Sequence, residues 1–257
     1  MDRLFFQDIF YPTDEDSLSA LVKAEEKQDV HTPSLFLLPH AHLDAIAHMY
    51  RDAFSLIHHP KRIVILAPLH AEVLDSDKGH SLFTYESGIA ITPIGEVNIE
   101  EAPSVRITPD YAEEEYSIEL FYPYVAANCP STTIMPLLAK LDGKEDVIAL
   151  AHLISKLKKE ENNTVFIVSG NFTSEGRCDE ILRQARTLEQ LLENNAPLLE
   201  AASKKLITGC ACKILEATRT TTAGHFHLKS AHCGTYTGPT ISESAEGTIW
   251  QVYGVKE

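Results

Sequence analysis

The chain has 257 residues, 44% of them hydrophobic, enough for one large α/β domain or two small ones. Its 37 acidic against 22 basic residues give a formal charge of -15, which argues against nucleic acid, whose phosphates need clustered Lys and Arg. No apolar run reaches the roughly 18 residues of a membrane span. The first residues lack the basic and apolar regions of a secretory signal. Five irregularly spaced cysteines suit free thiols in a reducing compartment, so a cytoplasmic location is expected.

In chain order, residues 1–30 form an extension. It begins aromatic and becomes an acidic amphipathic helix near Asp14–Glu26, with Ser17, Ala20, Leu21 and Ala24 available to dock on the rest. Leu35–Leu38 is a short apolar run stopped by Pro39, which predicts a buried strand, and His40 follows at once. From about Asp44 to Ile57 the apolar residues Ile46, Met49, Tyr50, Phe54 and Ile57 recur at helical spacing. Arg62–Ala67 is a β-branched run, stopped by Pro68 and followed by His70. Strand, helix and strand predict a βαβ unit with parallel neighbouring strands, whose C-terminal ends lie on one edge. His40 and His70 are therefore expected side by side where open α/β sheets bind ligands. Imidazole is a common metal ligand, so the pair is a candidate metal site; the plainer alternative is two polar loop histidines.

Further strands are predicted at Ser81–Ile94, Thr132–Leu138, Thr164–Ser169 and Thr248–Val255. Helices are predicted at Asp110–Tyr124, Lys144–Lys159 and Asp179–Leu215, the last broken near Asn194–Pro197. Lys156, Lys158 and Lys159 suit a helix C-terminus. With no linker or repeat, the whole chain reads as one domain, 1–257, of three-layer α/β/α class with a central mixed, largely parallel sheet. Asp44 and His48, four apart, are candidates to support His40, and Asn171 is a candidate edge residue after the strand at Thr164. His225, His227, His232 and Cys233 form a second His-rich stretch, with ordinary loop histidines as the plainer reading.

The order of short motifs resembles the MEMO-like family, including AmmeMemoRadiSam system protein B. The matching pieces are Pro39-His40-Ala41, Ile63–His70, Thr92–Val97, Glu115–Glu119, Ile134–Leu137, Val168–Thr173 and Tyr253-Gly254. The resemblance implies a fold like that of class III extradiol ring-cleavage dioxygenases. It also implies a mononuclear metal site of two histidines and a cysteine, with His40 and His70 as the histidines. The implied cofactor is one metal ion, iron or copper ahead of zinc where a thiolate takes part. Implied partners are an unknown small molecule or peptide and, through the family's naming, AMMECR1-like and radical SAM proteins; no nucleic acid or membrane partner is expected.

The chain also departs from the family pattern. The loop after the first histidine is shortened to His42-Leu43-Asp44. Tyr116 stands in place of a histidine, Asn171 of an aspartate and Ser174 of a histidine. The family's Cys-Gly pair aligns without gaps on Thr208-Gly209, with Cys210 and Cys212 just beyond; Cys210 is taken as the third ligand ahead of Cys212. His42, Asp44, Tyr116, Glu119, Asn171, Thr208, Cys212 and His232 are expected around the pocket. Neutral Tyr and Asn cannot act as general bases near pH 7, so no ring cleavage of catechol-type substrates is expected. The resulting reading is a MEMO-like protein with a metal site on a His pair, degenerate relative to its family. The alternatives are an active non-haem metal-dependent dioxygenase or hydrolase, and a non-catalytic peptide- or protein-binding scaffold.

Overall fold

The computed structural model describes residues 4–25, 27, 32–73, 77–108, 115–174, 178–221, 226–236 and 247–256, without the side chains of 172–174, 178, 179, 181, 182, 228, 230–236 and 247–253. Among the described residues eleven strands form one mixed sheet. Its centre is parallel: β1 (Leu35–Leu38), β8 (Thr164–Ser169), β2 (Arg62–Pro68) and β7 (Thr133–Ala139). These four strands are almost wholly buried and read as continuous apolar runs, as expected for strands covered on both faces. Antiparallel strands flank them. β11 (Gly247–Lys256) pairs with β1, β9 (Phe172–Ser174) and β10 (Phe226–Tyr236), while β3 (Leu82–Thr84) pairs with β7. β6 (Arg106–Ile107) continues from β3, and the hairpin β4 (Gly88–Thr92) and β5 (Gly95–Ile99) joins through β7.

Alternation along each strand divides the core into two. Phe36, Leu38, Ile63, Ile65 and Ile167 pack on one face with α1 (Glu15–Val22), α2 (Leu43–Phe54), α3 (Tyr116–Glu119) and α4 (Tyr122–Asn128). Leu35, Leu37, Val64, Leu66 and Val168 pack on the other with α5 (Lys144–Glu160), α6 (Cys178–Glu193), α7 (Leu198–Ser203) and α8 (Cys212–Thr221). The three-layer α/β/α expectation therefore holds.

Several local expectations change. β1 and β2 are not neighbours, because β8 lies between them. The reach from His40 to His70 thus spans two strand spacings, roughly 10 Å, before the side chains converge. The first helix stops at Val22, four residues early. The Ser81–Ile94 stretch is two strands, because Tyr85, Glu86 and Ser87 interrupt it. Residues 109–114 lie outside the described residues. Beyond them the chain forms two short helices, α3 and α4, with Pro123 in the first turn of the second, where its missing N–H costs nothing. The 179–215 region is three helices, and the His-rich stretch after Phe226 is strand β10.

Candidate metal centre

Three connections at the C-terminal edge of the parallel strands build one cluster. His40 lies two residues beyond β1, His70 two beyond β2 and Asn171 two beyond β8. The fourth piece, Gly209-Cys210, precedes α8. His40, His70 and Cys210 each bring a ligand atom to within 4.8 Å of the others. The imidazole rings of His40 and His70 are 5.2 Å apart and nearly perpendicular. His40 Nε2 lies 3.5 Å from Cys210 Sγ.

Each member is held from behind. His40 is buried, and its Nδ1 lies 2.9 Å from Ser169 Oγ at the end of β8. Its backbone is clamped by Asn171, whose Oδ1 accepts from His40 N–H at 3.1 Å and whose Nδ2 donates to His40 O at 2.6 Å. His70 Nδ1 lies 2.9 Å from Glu115 Oε1, and Glu115 Oε2 accepts from the His70 N–H at 2.9 Å. Glu115 is itself held by Ser117, which donates from Oγ at 2.8 Å. With both Nδ1 atoms engaged, each Nε2 is left for the centre.

Cys210 is placed by backbone geometry. Gly209 has φ +155°, a conformation that residues with a Cβ rarely adopt. Cys210 N–H donates to Asn171 O at 3.2 Å, and Asn171 N–H donates to Cys210 Sγ at 3.2 Å. A Cβ on Gly170 would sit 2.0 Å from Ala211 Cβ, so the loop after β8 and the turn into α8 meet only because residue 170 is glycine.

These contacts set the charge of the pair. Burial alone would push the His70 imidazole down. Hydrogen bonds to Cys210 and Glu115, and their charges, outweigh it and raise His70 to about 9. Desolvation would push the Cys210 thiol up, but the His40 charge and hydrogen bonds from His40, His70 and the Asn171 N–H bring it down to about 5. Burial also pushes Glu115 up, yet its hydrogen bonds and charge contact with His70 hold it below the usual carboxylate range. In the metal-free chain at neutral pH the site is thus a thiolate beside an imidazolium.

The other expected pocket residues divide. Tyr116 stacks on His70 at 5.2 Å, presents its edge to His40, and stacks in turn on Phe10 at 5.0 Å. His42 also stacks on Phe10, at 4.9 Å. Glu119 is committed to the N-terminal segment: it accepts from Phe5 N–H, Phe6 N–H and Tyr11 O–H at 2.8, 2.9 and 2.6 Å. Asp44 and His48 are exposed on α2, and the His40 ring meets Ser169 instead of either. Thr208 Oγ1 donates to Gln184 Oε1, while Cys212 is buried at the start of α8. The side chains of His232, Cys233 and Ser174, like residue His225, lie outside the described residues. Sequence reasoning passed over Glu115, Ser169 and Phe10. Glu115 alone carried a signal, being a carboxylate in a motif already singled out, but Glu119 in the same motif carried it equally.

At the edge of this α/β sheet, His40, His70 and Cys210 form a group that could hold a metal ion. The family model described as Memo-like protein matches residues 8–226, and the chain belongs to that family. A comparison with curated proteins found no match. No helix among the described residues is long and apolar enough to cross a membrane.

Proposed function

We propose that this chain is a metal-binding Memo-like protein that holds one ion through His40, His70 and Cys210. The observation that carries the reading is the convergence of the three ligand atoms within 4.8 Å from three separate loops. The donor set fits an ion. Bonds of about 2.0 Å to imidazole and about 2.3 Å to thiolate set tetrahedral ligand atoms roughly 3.5 Å apart. His40 Nε2 and Cys210 Sγ already stand at 3.5 Å. The thiol, held near 5, is ionised at neutral pH and offsets charge on a divalent cation. Two imidazoles and a thiolate suit copper or iron ahead of harder ions. Bound there, such an ion supplies a Lewis acid and a redox centre.

The surrounding residues orient this site and do little proton chemistry. Asn171 uses both ends of its amide on the His40 backbone and has no titratable group. Tyr116 forms an aromatic wall over His70. Ser169 and Glu115 fix ring orientation. This arrangement supports ion holding over acid–base turnover. Metal analysis of anaerobically purified protein is the test: about one equivalent is expected in the wild type and little in His40→Ala. Equal, trace metal in both would defeat the reading.

A further inference from the structure

The metal-centre reading leaves a pair of lysines unused. A groove of about 520 Å³ opens beside His70 and Cys210; its walls include Leu69, Leu141 and Ile207, and both Lys140 and Lys213 line it. Lys140 and Asp142 also line an adjoining cavity of about 600 Å³. Lys140 Nζ donates to the carbonyl of Ala71 at 3.4 Å, and Ala71 is the residue after His70. Lys213, in the first turn of α8, donates to the Leu141 carbonyl and, at 2.9 Å, to the Asp142 carbonyl. Backbone carbonyls hold both ammonium groups, and among the described residues neither lies within ion-pair distance of a carboxylate.

Two aspartates lie near the pair and offset part of its charge. Asp146 accepts from the Asp142 and Gly143 N–H groups; the Gly143 bond, and more weakly the Lys213 charge, hold it low. Asp142 is exposed and is the one carboxylate lining the groove among the described residues. Glu72 and Lys78 join Lys140 in the adjoining cavity, so among the described residues the two openings together hold three lysines and two carboxylates, a basic balance in a chain with 37 acidic and 22 basic residues. Donor counting narrows the ligand. An ammonium has three N–H donors; Lys213 has committed two and Lys140 one, which leaves three. Three donors suit the two oxygens of a carboxylate. They under-supply a phosphate dianion, which also meets Asp142.

We propose that this groove binds a small organic carboxylate. Its anionic end sits at Lys140 and Lys213, its apolar body lies against Leu69, Leu141 and Ile207, and its far end reaches His70 and Cys210. The inference rests on the metal-centre reading only for what that far end meets.

Benzoate and its neutral isostere benzamide are the probes, titrated into the full chain by calorimetry and saturation-transfer NMR, with chelator present and after metal loading. Benzoate is expected to bind at least about tenfold more tightly than benzamide. Lys140→Met and Lys213→Met are each expected to lose about tenfold, the scale of one charge-assisted hydrogen bond. Inorganic phosphate at equal concentration is expected to leave benzoate bound. Lys213 also ties two loops together, so Lys140→Met, whose one contact is long, is the decisive variant; it is expected to keep wild-type metal content. Equal binding of benzamide, displacement by phosphate, or wild-type benzoate affinity in Lys140→Met would overturn the proposal. Benzoate selectivity in a chain that takes up no metal would defeat the metal reading alone. Metal uptake without benzoate selectivity would defeat the carboxylate site alone.

Discussion

Replacing Glu115 by glutamine separates charge and tautomer from shape. The Glu115 side chain is buried; Oε1 faces the ring Nδ1 of His70 and also accepts from Ser117 Oγ, while Oε2 accepts from the His70 backbone N–H, both His70 contacts being 2.9 Å. Glutamine offers one oxygen and one NH₂. The backbone N–H can only donate, so it competes for that oxygen. The NH₂ then faces Nδ1 and favours the tautomer with the proton on Nε2, the nitrogen a metal needs. Loss of such a carboxylate–histidine contact costs about 10- to 100-fold in metal affinity, which is about 1.4–2.7 kcal/mol. The assay is a competition titration against a chromophoric chelator, beside a thermal melt to show that Glu115→Gln is folded. Wild-type affinity in a folded Glu115→Gln protein would refute the role assigned to this contact.

Two further predictions concern the metal-free chain. Cys210 should stay ionised, by thiolate ultraviolet absorbance, down to about pH 5, and Cys210→Ser should remove that signal. Taken singly, the raised His70 contributes stability that is lost as pH rises through about 9, and the lowered Cys210 contributes stability that is lost as pH falls through about 5. Together they leave folded and unfolded chains with equal proton counts from the ordinary imidazole value of 6.5 up to about 9. Below 6.5 the unfolded imidazole gains a proton while folded Cys210 does not, so stability should be flat above that pH and fall toward pH 5. Urea midpoints across this range check it, and a fall toward alkaline pH would count against the ion pair. Gly170→Ala drives a Cβ to 2.0 Å from Ala211 Cβ, and such overpacking costs roughly 1–3 kcal/mol. It should also move Cys210 and lower metal uptake; unchanged unfolding and uptake would show that the close approach is not needed.

The parallel centre of the sheet was legible because β1, β2, β7 and β8 are covered on both faces and therefore spelled as unbroken apolar runs. Their order was not. Placing β8 between β1 and β2 is a choice among distant segments, and the apolar runs are too alike to dictate it. His40 and His70 were visible because each follows its strand by a fixed short step, and that step survives the intervening strand. Cys210 was harder. The ungapped family position falls on Thr208, which turns to Gln184, and the sulfur arrives two residues later through the backbone of Gly209. The carboxylate behind His70 was missed because Glu115 and Glu119 look alike in sequence. Only packing separates the one that meets the histidine from the one that anchors the N-terminal segment.

The most direct test of the central claim is X-ray absorption at the metal edge of protein loaded with one equivalent of copper or iron. The account predicts one sulfur scatterer at about 2.3 Å with imidazole nitrogens at about 2.0 Å, and loss of the sulfur shell in Cys210→Ser but not in Cys212→Ser. A shell of light atoms alone in the wild type, or a sulfur shell that persists in Cys210→Ser, would contradict it.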